Sequence, residues 1–274
     1  MKSVIITGEG SYIGTMLCKH LLAQNGMYAV QIVSTVEASP ESFDFCGADA
    51  VINVAAIVHR KDTPGMQSLY DSVNRDLAVI IAEKAKSDGV PLLIQFSTMS
   101  VYGMQTGVIT KSTPPHPVTA YAKSKLEAER RIAPLADESF AVAILRPPMV
   151  YGPGAKGNYR TLEKLTRYLF FCPTVQNKRS LISIDRLCEY VRKRIDEARS
   201  GIFFPQDPSP VSTVALIEQI ASDAGRKLWK TSLFNPMIQL LVKETSVGKK
   251  AFGDLLYDDL SELPLSAAFF GGSI

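Results

Sequence analysis

The stretch VIITGEGSYIG, residues 4–14, decides how the rest of the chain is read. An apolar run enters a glycine turn and a second apolar pattern leaves it, as in a strand, a tight turn and a helix. Such a turn uses glycine for a sharp bend, for close approach of backbone to a diphosphate, and for close packing of helix on strand. The N–H groups that open the helix then face an anion. The spacing GxGxxG fits Gly8 and Gly10 but puts Ile13 third, whereas GxxGxxG fits Gly8 and Gly14 but puts Ser11 in the middle. A plain β–α turn, with Gly8 and Gly14 serving only packing, is the other reading of these residues alone. Ser11 is small and its hydroxyl could donate to a phosphate oxygen. Gly10 just before it could supply the freedom of the displaced middle glycine.

Outward from this loop, short apolar runs alternate with helical patterns. After the first strand, Ile13, Leu17 and Leu21 recur at helical spacing up to Gly26. YAVQIVST (28–35), DAVINVAA (49–56), PLLIQFST (91–98) and FAVAILRP (140–147) read as further strands, and 68–89 and 120–135 as helices. Runs rich in β-branched residues and without polar alternation predict strands buried on both faces. The alternation predicts βαβ units and a doubly wound parallel sheet, an α/β fold. About fifteen residues separate the second run from the third, too few for a helix and another strand, so that connection must be trimmed or irregular. Beyond Pro147 the chain turns Gly- and Pro-rich. SLISI (180–184) with the helix after it reads as a strand–helix pair that rejoins the sheet. The expected division is therefore a dinucleotide-binding domain of 1–150 plus about 179–199, and a smaller, discontinuous substrate domain of 151–178 and 200–274.

Composition narrows the function classes. The chain has 274 residues, 46% hydrophobic and 21% charged, with a formal net charge of +3. Its basic residues are scattered, so no nucleic-acid patch is expected. Four cysteines (Cys18, Cys46, Cys172, Cys188) and three histidines (His20, His59, His116) are dispersed and form no zinc spacing. No metal is expected, and the thiols are expected reduced and mostly buried. With no apolar run of membrane-spanning length and no long apolar stretch in MKSVIITG, the expectation is a cytoplasmic protein that engages no membrane.

Two residues near the start of the helix 120–135 point to chemistry. Tyr121 and Lys125 are four apart in YAKSK and share one helical face. A tyrosine is a poor base at its ordinary pKa of about 10, and a neighbouring ammonium favours the phenolate. With a positive nicotinamide ring nearby it could exchange a proton with a substrate hydroxyl near neutral pH, and Lys125 could bond the cofactor's ribose. As an isolated pair these residues could equally be a surface pair on a helix. Thr98 sits at the C-terminal end of a buried strand, where doubly wound sheets bind ligands, and offers a hydroxyl that could hold a substrate oxygen near Tyr121.

The TG-start glycine loop, NVAA, VN, STMSVYG, YAKSK and LRPPMVYGPG occur in that order. In this the chain resembles the extended short-chain dehydrogenase/reductases, in particular their NAD-dependent epimerase/dehydratase branch, which acts on nucleotide sugars. The resemblance covers most of the chain, least at 36–48 and in the tail. It implies a Rossmann sheet with a smaller C-terminal domain, and Thr98, Tyr121 and Lys125 as a catalytic triad. Gly8, Gly10, Ser11, Tyr12, Ile13 and Gly14 then fall on the phosphate loop. Ala55, Ala56, Asn74 and Pro148 fall around the cofactor, with Tyr121 and Lys125, and Pro147 lies beside the nicotinamide. Thr98, Met99, Asn158 and Arg179 face the substrate, the last two its phosphates. A guanidinium forks onto two phosphate oxygens; the lesser alternative for Arg179 is a salt bridge, for example with Asp185. The implied cofactor is NAD. The second strand ends without the usual ribose-binding aspartate, Glu37 is the acid that could replace it, and no arginine follows, so NADP stays open. A homodimer is usual in similar enzymes.

Three activities fit these residues: a UDP-sugar 4-epimerase, a reductase of 4-keto sugar nucleotides, and a dinucleotide-binding regulator without turnover. Related 4,6-dehydratases carry an acidic pair after the catalytic hydroxyl, where this chain has Met99 and Ser100. The epimerase is expected first.

Overall fold

The computed structural model describes residues 1–35, 42–58, 65–258 and 260–269. In chain order its first elements are β1 (Lys2–Thr7), α1 (Tyr12–Leu22), β2 (Tyr28–Val33), β3 (Ala50–Asn53), α2 (Met66–Tyr70), a π-helical turn (Asp71–Asp76), α3 (Leu77–Ser87) and β4 (Leu92–Phe96). Then come β5 (Gly107–Ile109), α4 (Ala120–Ile132), β6 (Ala141–Leu145), β7 (Met149–Tyr151), α5 (Asn158–Thr166), β8 (Phe171–Pro173), β9 (Leu181–Ser183) and α6 (Ile184–Glu197). The remainder is β10 (Gly201–Phe203), α7 (Thr213–Asp223), β11 (Trp229–Thr231), α8 (Asn235–Glu244), α9 (Ser246–Phe252), β12 (Leu255–Tyr257) and β13 (Glu262–Leu263).

Among the described residues the main sheet has seven strands in the order β13-β10-β6-β4-β3-β1-β2, parallel except for the antiparallel β13. Every residue of β3 and β4 is buried, as their unbroken apolar runs require. Alternate side chains leave the sheet on opposite faces. Ile5, Val51, Leu93 and Val142 pack with α3 and α4 on one face. Ile6, Ile52, Ile94 and Leu145 pack with α1 and α6 on the other. Both layers predicted from the alternation are present. Beyond β2 no further strand occurs among the described residues, in line with the short connection, and Glu37 lies outside them.

The structure departs from the sequence reading in two places. The strand within 180–184 does not rejoin the main sheet; β9 pairs in parallel with β7. It is β10, from the part assigned to the smaller domain, that continues the main sheet beside β6. The helix after β9 still packs on the main sheet, through Ile184, Leu187, Val191 and Ile195. The helix expected over 68–89 is broken by the π-helical turn at 71–76. Asn74 in that turn is fully buried and binds backbone groups of Ile57, a bond that a continuous α-helix would have to place elsewhere. The smaller core joins α5, β9 and α7 through Ala155, Tyr159, Leu181, Leu216 and Ile220.

Candidate active site

The glycine loop divides its duties among three positions. Gly8 has φ +99, and a Cβ there would lie 2.8 Å from the Ala55 nitrogen, so it permits the close approach of the turn to the end of β3. Gly10 has φ +73 and open space where its Cβ would stand. Gly14 packs the helix on the strand, since a Cβ would lie 2.6 Å from Ser11 Oγ and 3.1 Å from Val54 Cγ2. Ser11 is the N-cap of α1: its Oγ accepts from the Gly14 N–H at 3.1 Å, leaving its O–H as a donor. The N–H groups of Tyr12 and Ile13 have no partner among the described residues and sit at the positive end of the helix. Open space over Gly10 and free amides beside it suit a diphosphate. The Tyr12 hydroxyl donates to Pro153 O at 3.1 Å, joining the loop to the segment after β7.

Behind the loop, three buried side chains bond across three neighbouring strands. Thr7 Oγ1 donates to Asn53 Oδ1 at 2.8 Å, and Asn53 Nδ2 donates to Gln95 Oε1 at 2.9 Å. Asn53 Oδ1 also accepts from Ala55 N at 3.1 Å, which fixes the strand end that carries Ala55 and the half-buried Ala56. The loop just beyond is held by Asn74, whose Oδ1 accepts from Ile57 N at 2.8 Å and whose Nδ2 donates to Ile57 O at 3.0 Å. Asn74 therefore shapes the rim from inside the fold.

Thr119 caps α4 by accepting from Ala122 N at 3.2 Å, and the helix carries Tyr121 and Lys125 inward. Lys125 is buried and its Nζ donates to Phe96 O at 2.8 Å, at the end of β4. Burial brings its ammonium down to about 8, with Glu129 opposing the shift. Tyr121 is pushed up to about 12 by burial, against a hydrogen bond with the Thr98 hydroxyl. The structure thus brings Thr98, Tyr121 and Lys125 together. It does not show the expected lowering of the phenol by Lys125, because the ammonium is directed at the Phe96 carbonyl. Thr98 Oγ1 accepts from Ser100 N at 3.1 Å, so the same hydroxyl caps the 3-10 turn Met99–Tyr102. Met99 is buried and its N–H bonds Pro147 O at 2.9 Å, setting the STMS segment against Pro147 and the buried Pro148.

The expected phosphate contacts are less uniform. Asn158 is exposed at the first position of α5, after Gly157. Arg179 does not pair with Asp185. Its Nη1 donates to Gly253 O at 2.6 Å, one residue past α9. Burial lowers this guanidinium, with Asp254 opposing.

Sequence reasoning missed one assembly under the triad. Arg146 and Glu129 are fully buried and bonded at 2.5 Å, with further bonds from Arg146 Nε to both Glu129 oxygens at 3.1 Å. Arg146 Nη1 donates to Tyr102 Oη at 2.8 Å, and Ser97 Oγ donates to Glu129. The available signal was a carboxylate at position 129, one turn beyond Lys125 on the inward face of α4. One trio of possible metal ligands stands elsewhere among the described residues: Asp44, Cys46 and Asp88 have ligand atoms within 4.8 Å of one another. Asp88 there already accepts from Phe45 N at 2.9 Å and pairs with Lys84. All four cysteines are free thiols; Cys172 and Cys188 are buried, and Cys46 is exposed.

Comparison with known proteins agrees with this geometry. The chain is 32% identical over 256 residues to a UDP-glucose 4-epimerase of Vibrio cholerae, covering 84% of this chain and 78% of that protein. A UDP-glucuronic acid 4-epimerase from Bacillus cereus, solved in complex with NAD, superposes with a TM-score of 0.70 at 17% identity, covering 98% of this chain and 92% of that one. A dTDP-4-dehydrorhamnose reductase from Clostridium acetobutylicum superposes with a TM-score of 0.68 at 23% identity, over 91% of this chain and 98% of that one. Residues 4–170 match the NAD dependent epimerase/dehydratase family. With the glycine loop, the strand-end threonine and the tyrosine–lysine helix in one place, the chain belongs to that family of enzymes.

Proposed function

We propose that the protein is a nucleotide-sugar 4-epimerase of the UDP-sugar type, using NAD and the triad Thr98, Tyr121 and Lys125. The observation that carries this reading is the meeting of Tyr121, Thr98 and Lys125 at the end of β4 beside an open glycine cradle. The similarity to a UDP-glucose 4-epimerase over most of both chains supports it. Tyr12 and Ile13 N–H, the Ser11 hydroxyl and the open backbone at Gly10 would hold the dinucleotide's diphosphate. Gly8, Gly14, Ala55, Ala56, Asn74 and Pro148 shape its bed. The dinucleotide, when bound, supplies the hydride acceptor and donor. Tyr121 Oη takes the proton of the sugar's C4 hydroxyl and later returns it, while the Thr98 hydroxyl holds that oxygen in line. Burial keeps Tyr121 at about 12 against its bond to Thr98, so it acts as a base only with added positive charge nearby; an oxidised nicotinamide would supply that charge, since Lys125 directs its ammonium at Phe96 O. Met99 borders the sugar. Asn158 and Arg179 are the candidates for the substrate's diphosphate, and Arg179 already gives one nitrogen to Gly253 O.

The second reading is a single reduction of a 4-keto sugar nucleotide by NADH or NADPH, favoured by the likeness to a dTDP-4-dehydrorhamnose reductase fold. The two separate in one experiment on the purified chain. An epimerase arrives with NAD bound and interconverts UDP-glucose and UDP-galactose, or another UDP-sugar pair, without added cofactor. A reductase arrives empty and consumes NADPH with a keto sugar. A chain that does neither over a panel of UDP- and dTDP-sugars refutes both.

A further inference from the structure

The smaller part of the molecule carries an apolar face that its own fold does not cover. In the ribbon formed by β8 and β11, Phe171 lies directly opposite Trp229, on the side away from the buried Cys172. Trp229 is 76% exposed and Leu233 just after β11 is 78% exposed, whereas Phe170, one residue before β8, has the Arg226 guanidinium 6.0 Å from its ring centre. Asn235 bonds the backbone and side chain of Thr174, so the start of α8 abuts the end of this ribbon. In α8 itself only Ile238 is buried, while Met237, Leu240 and Leu241 face outward. Isolated exposed apolar residues are ordinary, but an exposed Phe171–Trp229 pair beside Leu233 and the outward apolar residues of α8 marks an interaction surface.

The charges around this face identify its partner. Segments 160–171 and 226–250 hold nine lysines and arginines against two glutamates, in a chain whose total formal charge is +3. Arg226 is used internally, donating to the carbonyls of Thr166, Arg167 and Leu169. Lys164, Arg167, Lys227, Lys243 and Lys250 are exposed. Lys230 is neutralised by Glu218 at 2.7 Å, but the rim stays mainly positive, and a second copy would bring these cations against themselves, which opposes a symmetric interface. An anionic lipid surface satisfies both parts: its headgroups meet the cations, and tryptophan, phenylalanine and leucine enter the headgroup–acyl boundary. No helix among the described residues is long and apolar enough to cross a membrane, so the contact is peripheral.

We propose that the face built on Phe171, Trp229, Leu233 and α8 docks the protein on an anionic membrane surface. This goes beyond the proposed reaction and does not depend on it.

Trp229 is the chain's one tryptophan, so its emission reports this face directly. The test is co-sedimentation of the full chain with phosphatidylcholine vesicles, with and without phosphatidylglycerol, together with its fluorescence. The expected result is binding to the anionic vesicles with a blue shift of Trp229, weakened by added salt. Leu233→Gln with Leu240→Gln should lower partitioning by about tenfold or more, since both side chains are largely exposed. Circular dichroism and thermal melting of the double variant should match the parent. The proposal is overturned if the parent stays in the supernatant, if neutral vesicles bind it equally, or if the double variant binds unchanged. It is also overturned if the blue shift appears without vesicles as protein concentration rises and the double variant abolishes it, which would make the face a self-association surface.

Discussion

Lys125 Nζ lies 2.8 Å from the carbonyl oxygen of Phe96, inside the protein, with its ammonium held at about 8. The ordinary value in an unfolded chain is about 10.4. Between these two values the unfolded chain keeps a proton that the folded chain has released, so stability rises with pH through that window. Below pH 8 the folded chain carries the whole cost, about 3 kcal/mol. Lys125→Met removes this cost and one hydrogen bond. It should stabilise the fold at pH 7 by about 2 kcal/mol while abolishing turnover. Urea midpoints of parent and variant should converge between pH 8 and pH 10.5. A gap independent of pH would disprove this role for burial.

Tyr121→Phe keeps the ring and its edge contact with Tyr70, centroids 6.1 Å apart, and removes only the hydroxyl. Turnover should fall about 10²- to 10⁴-fold, with the dissociation constant of NAD nearly unchanged. Thr98→Val should lower turnover and also cost about 1 kcal/mol, because Thr98 caps the turn 99–102. Thr98→Ser should restore both. If Tyr121→Phe retains full turnover, Tyr121 is not the proton carrier.

The glycines separate binding from folding. Gly10→Ala meets no atom, so its stability loss is limited to the positive φ, about 1–2 kcal/mol, while affinity for NAD falls about tenfold. Gly14→Ala pushes on the Ser11 cap and Val54 and should act chiefly on stability, by about 1–3 kcal/mol. Melting curves and NAD titrations of both variants check this. Equal effects on both readouts would refute the division.

Glu129→Gln leaves the buried Arg146 guanidinium without its counter-charge and should cost about 3–5 kcal/mol in urea unfolding. Glu129→Leu combined with Arg146→Met removes both charges and should recover most of that loss. A double variant as unstable as the sum of its parts would show that the pair is not the coupled unit.

The central strands were legible because burial on both faces writes an unbroken apolar run, as in Leu92–Phe96. The shared face of Tyr121 and Lys125 was legible from helical spacing, whereas their grouping with Thr98 came from the ordered motifs that carry the family resemblance. What stayed hidden depends on partners far away in the chain. Leu181–Ser183 and Gly201–Phe203 are both short apolar runs, and nothing local says which one finds β6 and which finds β7. The break at 71–76 coincides with Asn74 reaching Ile57, seventeen residues back along the chain, and no lapse in the apolar pattern announces it. Arg179 ends on a carbonyl 74 residues further along the chain. The sequence offers the Ser11 hydroxyl as a phosphate donor, and in the fold its oxygen first caps its own helix.

Thr7, Asn53 and Gln95 stand at directly opposed positions of β1, β3 and β4. Sliding any one of these strands by a single residue would strand an amide or hydroxyl in the core and turn its apolar neighbours to the wrong face. The ladder therefore fixes the registration of the sheet. Its last member, Gln95 Nε2, donates to Phe96 O at 3.1 Å, the same oxygen that receives Lys125. A misaligned assembly would thus lack the anchor for its lysine as well as the bend at Gly8. The sheet cannot close in the wrong register and still present a working site, so correct folding and competence for catalysis are tested by the same three side chains.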